Sequence, residues 1–175
     1  MLRPAEKKDL PGILTIYNDA ILHTTAIYDY TPHTLAERTA WFDAHQKAGY
    51  PIFVDDADGH IRGFAAYGSF RDWPAYKYTI EHSIYVHPAE RRRGIARKLM
   101  EKLLATADAE GYATMVAGID SANEGSIHLH EQLGFKKVGR IEKAGFKFGH
   151  WLDLVFYQRL LQGPARPADG SPARR

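Results

Sequence analysis

The segment Thr79 to Leu104 reads T-I-E-H-S-I-Y-V-H-P-A-E-R-R-R-G-I-A-R-K-L-M-E-K-L-L. Its first part alternates, with Ile80, His82, Ile84 and Val86 on one side and Thr79, Glu81, Ser83 and Tyr85 on the other. Successive side chains of a strand point to opposite faces, so a period of two predicts a strand from Thr79 to Val86. Pro88 ends it, and the basic run Arg91-Arg92-Arg93 leads to Gly94-Ile95-Ala96. From Ile95 the apolar residues Ile95, Leu99, Leu103 and Ala107 recur at helical spacing, which predicts a helix of roughly four turns. The unit is a strand, a basic glycine turn and a helix.

Such a turn has a chemical use. The first N–H groups of a helix have no partner within it, and the helix dipole adds positive potential there. Gly94 has no Cβ to keep a ligand from the backbone, and arginines add charge and forked donors. Together these suit a pyrophosphate. The turn lacks the Gly-Lys-Ser/Thr of a P-loop and the three glycines of a dinucleotide fingerprint. Taken alone, Arg-x-x-Gly-x-Ala reads equally well as a solvated basic turn opening an ordinary helix.

The surroundings separate the two readings. The turn Arg91 to Ala96 resembles the pyrophosphate-binding motif of the GCN5-related N-acetyltransferases. The resemblance covers about residues 2 to 161 and is closest to the phosphinothricin and methionine sulfoximine N-acetyltransferase branch. It is carried by Ile16-Tyr17-Asn18-Asp19-Ala20, Thr24-Thr25-Ala26, Glu81-His82-Ser83-Ile84-Tyr85-Val86, Leu129-His130-Glu131-Gln132-Leu133-Gly134-Phe135 and Lys147-Phe148-Gly149-His150-Trp151-Leu152-Asp153-Leu154. It implies a mixed, mostly antiparallel central sheet flanked by helices, acetyl-CoA as cosubstrate, a small amine as acceptor, and a homodimer.

Composition bounds the alternatives. A chain of 175 residues with 45% hydrophobic residues predicts one domain with a sizeable core. The 23 basic and 21 acidic residues leave a net charge of +2, which gives no general case for nucleic-acid or membrane binding. No cysteine is present, so a disulfide, a cysteine acyl-enzyme and a thiolate metal site are all excluded, in keeping with a cytoplasmic location. The nine histidines are not arranged as a metal site; His128 and His130 diverge on a helix. The N-terminal stretch is too polar for a signal peptide, and no apolar run reaches the roughly 18 residues of a membrane span.

Outward from the organising unit, Leu2 to Ala5 is a short strand. Asp9 and Pro11 open a helix with a stripe of Leu10, Ile13, Leu14, Tyr17 and Ile21. His23 to Thr31 is a polar and aromatic loop. Thr34-Leu35-Ala36-Glu37 is a capping box opening a second helix, which Gly49 ends. Pro51 to Val54 and Ile61 to Phe70 form a hairpin across a turn at Asp55 to Gly59. Tyr112 to Ile119 is a buried strand, Asp120 to Asn123 a turn, and Ser126 to Leu133 a short helix carrying Ile127, His130 and Leu133. Phe135 to Gly139 begins one further strand, and Trp151 to Leu161 is the last. The folded domain is expected to span residues 1–161. From Gln162 to Arg175 the chain carries three prolines and no large apolar residue, which predicts a disordered tail.

The chemistry of acetyl transfer needs a held cofactor, a neutral amine and a proton for the departing thiolate. An α-amine is largely protonated at neutral pH, so a base is useful. Glu81 shares a face of its strand with Ser83 and Tyr85, though a strand glutamate is more commonly solvent-facing or ion-paired. By periodicity His130 reads as a satisfied histidine in a small helix. The resemblance implies that Glu81 is the base, directly or through water, and that His130 takes part in catalysis. It places Ile84, Tyr85 and Val86 against the pantetheine, Arg91, Arg92, Arg93, Gly94, Ile95, Ala96 and Arg97 against the pyrophosphate, and Asn123 near the pantetheine arm. The acceptor is expected against Trp73, Ala75, Tyr76, Lys77 and Glu81, with Arg71 and Lys77 serving an anionic group; Lys77 stands where several close relatives of the resembled branch carry arginine. Competing readings are acetylation of peptide N-termini or polyamines, and a CoA-binding sensor without turnover.

Overall fold

A computed structural model describes residues 1–170. The elements are β1 (Leu2–Pro4), α1 (Leu10–His23), α2 (Leu35–Ala48), β2 (Ile52–Ala57), β3 (His60–Ser69), β4 (Thr79–Val86), α3 (Ile95–Ala109), β5 (Thr114–Asp120), α4 (Glu124–Gln132), β6 (Lys136–Lys147) and β7 (His150–Leu160). One seven-stranded sheet runs in the order β1-β2-β3-β4-β5-β7-β6. All neighbours are antiparallel except β4 and β5. The expected order of elements and the mixed, mostly antiparallel sheet are both present.

The one parallel contact positions the site. β4 and β5 pair only at Thr79–Thr114, Ile80–Met115 and Glu81–Val116. Beyond Glu81 both strands continue, but they separate. The β5-side edge of β4 from His82 to Val86 therefore carries backbone groups with no strand beside them, while its other edge stays paired to β3. The sheet opens like a wedge at its centre.

Two cores hold the wedge in place. On one face α3 presents Ile95, Leu99, Leu103 and Ala107, all buried, against Met115, Ala117 and Tyr157. A fully buried leucine contributes roughly 1.5–3 kcal/mol, so this stripe anchors the turn that precedes it. On the other face Ile13 of α1 and Phe42 of α2 pack on Val54 and Phe64.

Local expectations needed small corrections. The buried stripe of α1 is Leu10, Ile13, Ile16, Ala20 and Ile21, with Leu14 and Tyr17 only half-buried. The helix is rotated because Ile16 and Ala20 border the wedge while Tyr17 faces α2. Asp9 does not cap α1 through its side chain; its carboxylate holds the Arg3 guanidinium at 2.7 Å and the Glu6 N–H at 2.8 Å. The hairpin turn is confined to Asp58-Gly59, both at positive φ, and the strands run up to it on either side. An Asp-Gly pair supplies a two-residue turn whose twist matches the strands. The helix α4 starts two residues earlier than expected, because the Asn123 side chain accepts from the Ser126 N–H at 3.1 Å.

Of the expected tail, Gln162 to Gly170 adopts no helix or strand. Its Gln162 N–H donates to Asp108, its Gly163 N–H to the Tyr112 carbonyl and its Ala168 N–H to the Tyr78 hydroxyl. The expectation for residues 171–175 lies outside the described residues.

Candidate active site

The wedge is a cleft of about 840 Å³. One wall is β4 and the N-terminal end of α3; the other is α1 with the loop Thr24 to Ala26, and α4 closes one side. Of the residues expected against the cofactor, Ile84, Tyr85, Val86, Arg91, Arg92, Gly94, Ile95, Ala96, Arg97 and Asn123 all line it. Arg93 does not; it is exposed and pairs with Glu90 at 2.9 Å.

The basic turn is shaped as the sequence suggested. Arg92 and Gly94 both have positive φ, +63° and +75°. No side chain caps α3, and its first backbone bond is from Lys98 to the Gly94 carbonyl. The N–H groups of Ile95, Ala96 and Arg97 are thus left without helical partners at the cleft. A Cβ on Gly94 would meet no protein atom within 4 Å. Uncapped donors, a helix N-terminus and two arginines form a cradle fitted to a pyrophosphate. Beside it, the unpaired edge of β4 offers amide donors and acceptors to an extended, amide-bearing chain.

Glu81 stands where β4 and β5 part. It lines neither this cleft nor the smaller cavity described below, and is half-buried beside Gly118 of β5. A Cβ at position 118 would come within 3.3 Å of its Oε1, so Gly118 makes the room that Glu81 occupies. Burial pushes the Glu81 carboxyl above its ordinary range, with Arg71 opposing. Such a carboxylate is a stronger base than one in water.

His130 lies on the opposite face of β4. It is buried, its Nδ1 is 2.7 Å from the Ser126 carbonyl, and its Nε2 is 3.0 Å from Nε2 of His82. The two rings stack at 5.0 Å. A carbonyl accepts only, so His130 donates from Nδ1 and its Nε2 accepts the His82 N–H. The Nδ1 of His82 is then a buried acceptor without a partner. Burial pushes both imidazoles down, His82 to about 3, so the pair is neutral at pH 7. His130 lines neither cavity; it touches the cleft's walls through the Ser126 carbonyl on α4 and through His82 on β4.

The residues expected around the acceptor lie on the segment before β4. Trp73 and Tyr76 are exposed, Ala75 sits between them in a short 3-10 turn, and the Lys77 ammonium donates to the Gly170 carbonyl at 2.6 Å. None of the four lines the cleft or the smaller cavity. Two contributors were not foreseen. Arg38 is buried under α1, without any nearby pattern to mark it. Lys147, at the tip of β6, is buried and donates to the carbonyls of Ile21, Thr24 and Ile27 at 2.6, 2.9 and 2.7 Å. It thereby clamps the end of α1 and the loop that walls the cleft. No group of residues among those described could hold a metal ion.

Residues 14–135 match the Acetyltransferase (GNAT) family. The chain belongs to that family and is an acetyl-CoA-dependent N-acetyltransferase. It is 48% identical over 168 residues to an L-methionine sulfoximine/L-methionine sulfone acetyltransferase of Pseudomonas paraeruginosa, covering 95% of this chain and 97% of that one. To a phosphinothricin N-acetyltransferase of Streptomyces viridochromogenes it is 33% identical over 173 residues, covering 98% and 93%. A crystal structure of a phosphinothricin acetyltransferase from Sinorhizobium meliloti in complex with acetyl-CoA superposes with a TM-score of 0.93 at 38% identity, over 99% of this chain and 95% of that one.

Proposed function

We propose that the protein moves the acetyl group of acetyl-CoA directly onto the amine of a small amino acid of the methionine sulfoximine, methionine sulfone or phosphinothricin kind. The observation that carries this is the wedge past Glu81, which sets an uncapped helix N-terminus and a free strand edge on one side of a half-buried carboxylate. Arg91, Arg92 and the backbone from Gly94 to Arg97 hold the pyrophosphate. The β4 backbone at Ile84, Tyr85 and Val86 holds the pantetheine, and Asn123 shapes the arm's bed by capping α4. Glu81 takes a proton from the amine, directly or through a water. The neutral amine attacks the thioester carbonyl, the C–S bond breaks, and the thiolate takes up a proton. His130 acts as a positioning residue through His82 and β4. Trp73, Ala75, Tyr76 and Lys77 border the acceptor's approach; they lead directly into β4, and neighbouring Arg71 acts electrostatically on Glu81.

The protein works as a homodimer in the cytoplasm. The exposed apolar residues Val138, Ile141, Phe146 and Trp151 of the β6–β7 hairpin support the first point, and the lack of cysteine supports the second.

Release of the CoA thiol is measured with L-methionine sulfone, phosphinothricin, a polyamine and a free peptide N-terminus as acceptors. Preference for the two amino acids is expected. Preference for the polyamine or the peptide overturns the acceptor assignment, and tight acetyl-CoA binding without turnover on any amine would make the domain a sensor.

A further inference from the structure

A second, smaller cavity of about 310 Å³ lies between α1, α2 and the β3–β4 pair. That is at the low end of the range for small-molecule sites. Tyr85 lines both this cavity and the acetyl-CoA cleft, so one ring divides them. Ser83 of β4 also lines the cavity. Glu81 projects from the same face of β4, two residues before Ser83 and so about 6.6 Å along the strand.

The cavity's distinctive feature is Arg38. It is 3% exposed. Its guanidinium carbon sits 3.7 Å over the Tyr17 ring and 4.7 Å over the Trp41 ring. Its Nη2 donates to His33 Nδ1 at 3.3 Å, and His33 Nε2 lies 3.1 Å from Asp29. The His33 imidazole is thus oriented as an acceptor toward Arg38 and a donor toward Asp29. Among the described residues no carboxylate forms an ion pair with Arg38, and its buried Nε has no partner. The adjacent carboxylate, Glu37, is committed to the capping box, accepting from the Thr34 N–H at 2.6 Å and the Thr34 hydroxyl at 2.8 Å.

A guanidinium taken out of water without a counter-ion is costly. Two aromatic faces and one neutral imidazole offset part of that cost. They hold the fork in place but leave its charge unanswered, next to a cavity. This is the arrangement of a site built for an oxyanion with two acceptor oxygens, carboxylate or phosphinate, which a guanidinium meets with paired donors.

We infer that Arg38 is the oxyanion-binding residue of the acceptor site, and that the cavity under α1 and α2 receives an acidic group of the amino-acid acceptor. The inference rests on the acetyltransferase reading above and gives that reading its acceptor pocket. With the acid on Arg38, the rest of the acceptor passes Tyr85 toward Glu81 and the wedge. The anion is then held by a buried, pre-oriented fork in place of the exposed Arg71 and Lys77. The acidic group is either the α-carboxylate or the distal acid, which present the same chemistry to the fork.

The test begins on the wild-type protein. Turnover is compared for phosphinothricin, its α-carboxamide and L-norleucine, which lacks the distal acid. A KM raised roughly 10–100-fold by one deletion, the worth of a charge-assisted pair, names the acid that Arg38 holds. Arg38→Met is then expected to raise KM for phosphinothricin by a similar factor. It leaves the analogue lacking that acid within about twofold of its wild-type value, and leaves acetyl-CoA affinity unchanged, while Arg38→Lys falls between. If neither deletion weakens the wild-type reaction, the proposal is overturned without any variant. It is overturned as well if Arg38→Met weakens charged and uncharged acceptors equally, since Arg38 then only supports the fold. A wild-type protein that acetylates none of the three fails the broader reading, a result distinct from either of these.

Discussion

Replacing Glu81 with glutamine separates catalysis from stability, because the two should move in different directions. The swap is nearly isosteric, so the side chain keeps its place beside Gly118 where the strands part. It removes a negative charge that burial disfavours, the larger influence on this carboxyl, and leaves exposed Arg71 without that charge to face. A carboxyl raised above its ordinary value of 4.5 stabilises the fold below the unfolded pKa. That contribution is lost as pH rises through the folded pKa, so the ionised group is a burden at pH 7 and above. Glu81→Gln should therefore melt at the wild-type temperature or higher at pH 7, with acetyl-CoA affinity unchanged. Turnover should fall by roughly 10²–10⁴, the worth of a positioned general base, which is about 2.7–5.4 kcal/mol of barrier. In the wild type, kcat/KM should rise with pH as Glu81 ionises, above the ordinary carboxylate range. In the variant that limb disappears, and the rate climbs until pH passes the amine's own pKa, near 8. An acceptor with a less basic amine should recover much of the loss. Stopped assays of CoA release from pH 5 to 9, with calorimetric melting on the same samples, measure both. Wild-type turnover with an unchanged pH profile would refute the assignment of Glu81 as base, and a large fall in melting temperature would refute the account of its environment.

Three further outcomes are expected. Gly94→Ala and Gly94→Val should both fold, at a cost of about 1–2 kcal/mol for a left-handed backbone, since the site is open to a Cβ. Titration should find acetyl-CoA binding weakened far more by valine; equal, unchanged affinities would remove the pyrophosphate assignment. Gly118→Ala places a Cβ 3.3 Å from Glu81 Oε1 and 3.5 Å from Leu154 Cδ1. It should lower kcat by roughly tenfold, a barrier change of about 1.4 kcal/mol, with little effect on acetyl-CoA affinity. Lys147→Met strips three carbonyls of their donor, at a net cost of about 2–4 kcal/mol, or roughly 5–15 °C in a chain of this size. Its KM for acetyl-CoA should rise because the loop Thr24 to Ala26 is released; an unchanged melting curve would show that the clamp contributes nothing.

The sequence by itself determined the features whose causes lie within a few residues. The alternation from Thr79 to Val86 marks β4 to the residue. The stripe Ile95, Leu99, Leu103 and Ala107 marks the buried side of α3, and Thr34 with Glu37 marks the start of α2. The shape of the turn before α3 was legible for the same reason: a basic run, a glycine and a helix start are consecutive in the chain. Only the tertiary structure decided the rest. Whether β4 and β5 pair throughout or part after Glu81 depends on how α3 and the far strands seat the sheet, and no local pattern encodes it. The stacking of His82 on His130 joins residues 48 apart, and the clamp from Lys147 to Ile21 spans 126. Nothing in the sequence around Arg38 marks it for burial. Its burial follows from Tyr17 turning toward α2 when α1 rotates to seat Ile16 and Ala20, and that rotation is set by packing against the sheet. Periodicity reports which side of an element is apolar, whereas a site is made where elements distant in sequence meet.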